Sequence, residues 1–407
     1  MRRQRPVDSN QAYEMVLKRL DMTRETQNEE LLEIIRSVLE EISNNNYFPL
    51  EEKIRLSKDL FNAFRRLDVL QELIEDENIT EIMINGTENI FYEKKGHLIQ
   101  SDKRFISVSK LEDVIQQIVA STNRYVNESS PIVDTRLEDG SRVNIVLKPV
   151  ALNGPIMTIR KFPFEKVTME QIVGWGSISQ EAADFLKVLV AAKYNIFVCG
   201  GTGSGKTTFL NALSDYIPED ERVITIEDNA ELQLRNVRNL VQLEAKNANL
   251  EGEGAVTIRD LIKSALRMRP DRIIVGEVRG DETVDMISSA MLNGHNGSMS
   301  TGHANSARDM LYRLETMMMM GIDLPLVAIS RQVASALDVI IHVGRIRDKS
   351  RKVLEIVEVL GYQEGKIQLQ SLYRFEEEGM ENGKIKGTHM KVEELAFRDK
   401  LLAAGYS

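Results

Sequence analysis

The run Gly200-Gly201-Thr202-Gly203-Ser204-Gly205-Lys206-Thr207-Thr208 constrains this chain more than any other stretch. It follows an apolar, strand-like segment from Asn195 to Cys199 and opens a segment with helical spacing, Thr207 to Tyr216. Its first eight residues satisfy the pattern G-x-x-x-x-G-K-[ST]. Glycines let consecutive amides turn inward as an anion-binding nest, where a side chain would block phosphates. Lys206 can reach β- and γ-phosphates, Thr207 can hold Mg²⁺, and the new helix points its positive end at the anion. With Gly at ~7% of residues, a chance match in a chain of this length is on the order of one per cent. The expectation is a nucleotide site for ATP and Mg²⁺ on residues 200–208.

Such a loop belongs to a parallel sheet, and the surrounding pattern supplies one. From Ser179, helical spacing (Glu181–Ala192, Thr207–Tyr216, Ile258–Met268) alternates with strands (Asn195–Cys199, Arg222–Ile226, Arg272–Val275). That alternation predicts an α/β layer with helices on both faces of the sheet, residues 179–344. After Gly344 come shorter strands, polar turns and a helix near Val392–Ala404, residues 345–407.

The preceding half reads differently. Ala12–Leu20, Glu30–Ile42 and Leu50–Leu67 carry apolar residues at three- and four-residue spacing, a small helical bundle over 1–67. Ile82–Ile84, Ile90–Tyr92, Val143–Leu147 and Ile156–Ile159 read as strands around a helical Lys110–Ala120, with turns at Asn85-Gly86 and Lys95-Gly96. Residues 68–164 therefore form an α+β domain, and Pro163 with Gly174-Trp175-Gly176-Ser177 marks a connector over 165–178.

At 407 residues, two or three domains are expected. Hydrophobic content of 42% beside 28% charged residues fits a soluble globular protein. No run approaches the about 20 apolar residues of a membrane span. No secretory segment follows Met1-Arg2-Arg3-Gln4-Arg5, so a cytoplasmic location is expected. The cluster Arg2, Arg3, Arg5 could touch anionic lipid, but a solvated chain start is the better reading. A net charge of −10 opposes a general nucleic-acid binder. Cys199, the sole cysteine, ends an apolar strand and reads as a core thiol.

Three further features accompany the loop. The strand Arg222-Val-Ile-Thr-Ile-Glu227-Asp228 ends in two acids, and strand C-terminal ends line the ligand crevice of a parallel sheet. Glu227 and Asp228 could thus hold magnesium's water shell; the alternative is a solvated strand end. Arg272-Ile-Ile-Val-Gly276-Glu277 resembles a Walker B segment with Gly276 where many carry Asp. Glu277 would orient or deprotonate the attacking water. His303, in Ser298-Met-Ser-Thr-Gly-His-Ala-Asn305, is a candidate γ-phosphate sensor, or else a loop hydrogen-bonder. Met317–Met320 reads as helical core rather than a soft surface.

In this order, Thr225-Ile-Glu-Asp228, Arg269-Pro-Asp-Arg-Ile-Ile-Val-Gly-Glu-Val-Arg279 and Ser300-Thr-Gly-His-Ala-Asn305 resemble the type II/IV secretion ATPase superfamily. More narrowly, with Gln332-Val-Ala-Ser-Ala-Leu-Asp338 and Arg345-Ile-Arg-Asp-Lys-Ser-Arg351, the chain resembles the CpaF/TadA group of Flp/Tad pilus assembly ATPases, tightest over 195–347. The resemblance implies a RecA-like motor domain beneath a PAS-like amino-terminal domain, with ATP between them, assembled as a homo-hexamer. It implies an Asp box at Glu227 and Asp228, the Walker B glutamate at Glu277 and a His box at His303. It also implies a location on the inner face of the membrane, platform-protein partners of the GspF/TadB/TadC kind, and action on pilin subunits.

Arg142 and Arg160 match, in Gly-Ser-Arg-Val and Thr-Ile-Arg-Lys, family arginines that reach the nucleotide's phosphates. Arg136, in Asp-Thr-Arg-Leu, is a third candidate; pairing with Glu138 and Asp139 is the alternative for all three. The rival functions are a conjugative type IV secretion ATPase, a RecA-like DNA motor and a non-hydrolysing ATP switch. The lack of aromatic–basic interleaving opposes the DNA motor, and Glu277 opposes the switch.

Overall fold

The computed structural model describes residues 9–21, 23–24, 26–45, 49–94, 96–122, 124–161, 166–246, 254–381 and 383–406. Arg2, Arg3 and Arg5, the turn residue Lys95 and Pro163 lie outside them. The chain divides into two compact units, Met1–Phe164 and Glu165–Ser407.

In the first unit, α1 (Ser9–Arg19), α2 (Asn28–Asn45) and α3 (Leu50–Arg65) bury Ala12, Val16, Leu31, Ile35, Leu39, Leu56 and Leu60 together. The four-residue steps from Leu31 to Leu39 keep one stripe of α2 inward. A 3₁₀ turn (Asp68–Leu70) and α4 (Gln71–Glu75) lead into a sheet. Its strands are β1 (Ile79–Asn85), β2 (Asn89–Lys94), β3 (His97–Gln100), β4 (Ile132–Arg136), β5 (Arg142–Val146) and β6 (Ile156–Arg160). They pair antiparallel in the order β3-β2-β1-β6-β5-β4. Alternate residues Ile82, Ile84, Val143, Ile145, Met157 and Ile159 share one core with Leu111, Ile115 and Ile118 of α5 (Val108–Ala120). The period-two burial explains the single helical layer: one face is apolar.

The second unit opens with α6 (Met169–Gly174) and α7 (Gln180–Ala191), then β7 (Ile196–Cys199), α8 (Lys206–Ser214), β8 (Arg222–Glu227) and β9 (Asn239–Glu244). Next come α9 (Ile258–Ala265), β10 (Arg272–Val275), a π-helical turn (Asp285–Met291), β11 (Met299–Gly302), α10 (Ala307–Gly321) and α11 (Leu326–Ala336). The unit ends with β12 (Val339–Arg345), β13 (Arg351–Gln363), β14 (Lys366–Glu381), β15 (Lys384–Lys391) and α12 (Asp399–Ala403). The described strands form one sheet, β15-β14-β13-β12-β7-β11-β10-β8-β9, parallel from β12 to β9 and antiparallel beyond. Ile196 and Val198 pack with α6, α7 and α8, whereas Phe197 and Cys199 pack with α9, α10 and α11. A strand buried on both faces reads as an unbroken apolar run, which is how Ile196–Cys199 and Arg272–Val275 appear in the sequence.

Three sequence expectations are revised. The connector expected over 165–178 contains α6, whose Met169 and Ile172 are buried in the core with Leu210 and Leu213. Thr168 and Gln171 close a reciprocal capping box at its start. The segment after Gly344 holds long strands rather than short ones, and β13 to β15 extend the main sheet. Glu355, Glu358, Gln368 and Gln370 interrupt their apolar periodicity, but β13 still buries Ile356 on one side and Val357 on the other. Met317 and Met318 are core, whereas Met319 and Met320 are exposed.

Candidate functional site

The phosphate loop leaves β7 at a point where only glycine fits. A Cβ on Gly200 would stand 2.1 Å from the Val343 carbonyl oxygen of β12. Gly203 and Gly205 take φ of +69° and +93°, the left-handed region, and Gly205 caps α8. Gly201, Thr202, Gly203 and Thr208 are exposed, Thr207 is half-buried, and Ser204 is buried with no hydrogen-bond partner for its Oγ. The loop is thus a backbone-lined start of a helix open to an anion. Cys199, immediately before it, is buried, and burial pushes its thiol up to about 12: a core thiol.

From this loop a succession of polar side chains crosses neighbouring strand ends. Lys206 is buried, with Nζ 3.2 Å from the Gly201 oxygen and 3.3 Å from His303 Nδ1 at the end of β11. His303 Nε2 lies 2.9 Å from Glu277 Oε1, beyond β10, off the line of a hydrogen bond, so that buried oxygen has no hydrogen-bond partner. Glu277 Oε2 accepts from Arg279 Nη2 (2.6 Å) and Nε (3.0 Å). Arg279 Nη1 reaches within 3.6 Å of Asp228 Oδ2, beyond β8. Since β7, β11, β10 and β8 are adjacent in that order, Lys206, His303, Glu277 and Asp228 come from consecutive strands.

The electrostatics follow from that packing. Burial lowers the Lys206 pKa, while the Glu277 carboxylate opposes it. Burial likewise lowers that of His303; Glu277 opposes, and the cations Lys206 and Arg279 reinforce the fall. With Lys206 donating to Nδ1, the proton of the neutral ring sits on Nε2. Arg279 is held still more firmly protonated, first by its hydrogen bonds to Glu277.

The two acids at the end of β8 diverge. Asp228 is exposed, whereas Glu227 is buried and accepts from the backbone N–H groups of Glu231 (2.8 Å) and Leu232 (3.2 Å). Glu227 also accounts for Gly276. A Cβ there would stand 2.8 Å from Glu227 Cγ, so this side chain fills the space an aspartate at 276 would need. Arg279 had no role assigned from the sequence; its spacing of two from Glu277, in an extended segment that puts both on one side, is the signal that could have found it.

The second unit also holds a cavity of about 920 Å³ beside the loop, bordered by Trp175, Ser204, Gly205, Thr208, Arg351 and Lys352. In the first unit, the sheet register sets Arg136 opposite Arg142 and Arg142 opposite Arg160. The three arginines form one transverse row on one face.

This sheet, with a glycine-rich loop between a central strand and a helix, defines a RecA-like P-loop ATPase. The model of the type II/IV secretion system protein family matches residues 65–396. A Mycobacterium tuberculosis protein named for conjugal transfer is 36% identical over 306 residues, 74% of this chain and 86% of that one. The type IV secretion system protein VirB11 of Brucella abortus is 34% identical over 334 residues, covering 74% and 90%. The structure of the Legionella pneumophila ATPase DotB shares the fold, at 23% identity and a TM-score of 0.51 over 71% of this chain and 79% of that one. The chain belongs to the type II/IV secretion system protein family and is an ATP hydrolase of that class.

Proposed function

We propose that this chain couples Mg²⁺-dependent ATP hydrolysis to assembly of a Flp/Tad-type pilus, as a CpaF/TadA-like motor. The observation that carries the hydrolytic part is the succession Lys206, His303, Glu277, Arg279, Asp228 over four neighbouring strand ends. Gly200–Thr208 hold the phosphates through backbone N–H groups and Lys206. Glu277, whose Oε1 lies 2.9 Å from His303 Nε2, serves as the carboxylate that accepts a proton from an attacking water. His303, between Lys206 and Glu277, senses the terminal phosphate. Among the described residues no trio of His, Cys, Asp or Glu could ligate a metal by itself. Mg²⁺ keeps several waters and takes one or two carboxylates plus phosphate oxygens. Thr207 and Asp228 fit as its protein contacts, and Glu227 supports Asp228 from behind through the loop it anchors. When bound, Mg²⁺ supplies neutralisation of phosphate charge. Arg142 and Arg160, with Arg136 beside them, add positive charge as the terminal phosphate leaves.

The pilus assignment rests on the motifs Gln332–Asp338 and Arg345–Arg351. A homo-hexamer on the cytoplasmic face of the membrane, bound to platform proteins and acting through them on pilin, completes the reading. No helix of the described residues is long and apolar enough to cross a membrane. Conjugative transfer is the second reading, favoured by the relatives named for conjugal transfer and type IV secretion. Flanking genes decide between them: prepilin, prepilin peptidase and two platform proteins for the pilus, a relaxase for conjugation.

Two variants test the site. Lys206→Ala should lose both binding of a fluorescent ATP analogue and turnover; near-wild-type turnover would sink the assignment. Glu277→Gln should still bind ATP but hydrolyse it about 10²–10⁴-fold more slowly. Normal turnover there would leave Glu277 a structural residue.

A further inference from the structure

The β12–β13 hairpin brackets the phosphate loop from outside. Val343 of β12 closes on Gly200, as described above. On β13, Arg351 Nε donates to the Gly203 carbonyl oxygen at 2.9 Å. The Arg351 Cδ stands 3.2 Å from where a Cβ on Gly205 would be. Among the described residues Arg351 makes no ion pair, so its recorded polar contact is this loop carbonyl. The next residues anchor the strand: Lys352 Nζ donates to the Gly176 oxygen (2.6 Å) and Val353 N to the Ser177 oxygen (2.8 Å). Register with β12 pins the other side, Arg351 opposite Arg345 and Val353 opposite Val343. The guanidinium is therefore delivered to the loop by a strand tied on both sides.

We propose that Arg351 is a positioning residue that preforms the phosphate loop. In a trans peptide the C=O and the following N–H point to opposite sides. Holding the Gly203 oxygen outward turns the Ser204 N–H inward, where it meets the Gly201 oxygen at 3.3 Å. A glycine-rich loop has many backbone states to lose on binding an anion. Arg351 removes part of that loss in advance, because the Gly203–Ser204 peptide is already fixed within the loop before a phosphate arrives. Because the contact is with the loop and not with a terminal phosphate, it acts on di- and triphosphates alike.

This inference rests on the reading of residues 200–208 as a nucleotide site, and the experiment separates the two. Binding of ATP and ADP is measured on the full chain for wild type, Lys206→Ala, Arg351→Ala, Arg351→Met and Arg351→Lys. Losing a charge-assisted hydrogen bond should weaken both nucleotides about 10-fold in the Ala and Met variants. KM should rise with kcat within about threefold, the signature of lost binding rather than lost chemistry. Amide hydrogen exchange at 203–205 should quicken in the nucleotide-free chain, and Lys should recover part of the affinity. The Met variant keeps a stem over Gly205, so it answers the question if the Ala variant fails to fold. Unchanged ATP affinity in both would overturn the proposal, as would a loss confined to ATP, which would mark a terminal-phosphate contact instead. If Lys206→Ala bound ATP like wild type, the nucleotide-site reading itself would fail, whatever the Arg351 variants did.

Discussion

Glu227 and Gly276 show how one side chain decides what its neighbour can be. Two carboxylate oxygens hold the turn at Glu231 and Leu232, and the aliphatic stem occupies the volume beside Gly276. Adding a methyl there is overpacking against a side chain whose far end is tethered. Gly276→Ala should therefore cost about 1–3 kcal/mol of stability, read as a lower urea midpoint. Shortening Glu227 to Ala in the same chain should shrink that increment, because the obstructing stem is gone; two fully additive losses would disprove the packing account.

Elements carry consequences that single residues do not. In the first unit, β4, β5 and β6 deliver Arg136, Arg142 and Arg160 to one row, closed by Glu81 of β1 opposite Arg160. Like charges directly opposite on a sheet are unfavourable for strand pairing, so the row is where the proposed role of these arginines is tested. Arg142→Ala and Arg160→Ala should bind ATP with at most moderate weakening, keep the wild-type oligomer by light scattering, and hydrolyse about 10³-fold or more slowly. Wild-type turnover in both would leave the second unit's own residues to complete the chemistry.

For the whole molecule, three half-buried histidines tie stability to pH. His303, His342 and His389 all have pKa values below the ordinary 6.5, each chiefly through burial. The unfolded chain then takes up protons more readily than the folded one, so stability is full above pH 6.5 and is lost as pH falls through the folded values. Asp76 and Asp348, held at about 2 by hydrogen bonds first from Lys94 and from the Ile385 backbone, extend the same trend below 3.8. The net charge of −10 works the other way as acid relieves repulsion, so a variant comparison is the clean measure. His389 packs on Phe375, with its Nε2 2.9 Å from the Val353 oxygen. His389→Gln should narrow the gap between urea midpoints at pH 7.5 and 5.5; an unchanged gap would exclude His389 from the effect.

Much of the site was legible before any tertiary contact was known. The phosphate loop is nine contiguous residues whose chemistry is backbone turn, one cation and one hydroxyl, so local sequence suffices to specify it. The strands leading to Cys199 and Val275 were equally plain, because burial on both faces leaves a short unbroken apolar run. The packing of α6 and the union of β13 to β15 with the main sheet were not legible, since polar residues on half-exposed faces break the periodicity. Nor was the loop contact of Arg351 legible, although that residue ends a motif noted above, because it is far along the chain from the loop it touches. Strand order set His303, Glu277 and Asp228 on successive ends beside Lys206, and it turned Glu227 into its own loop. Sheet register aligned three arginines that the sequence only placed near strands. Local composition determined which groups can bind a phosphate. Long-range pairing, which leaves no periodic trace in the chain, decided which of them stand together.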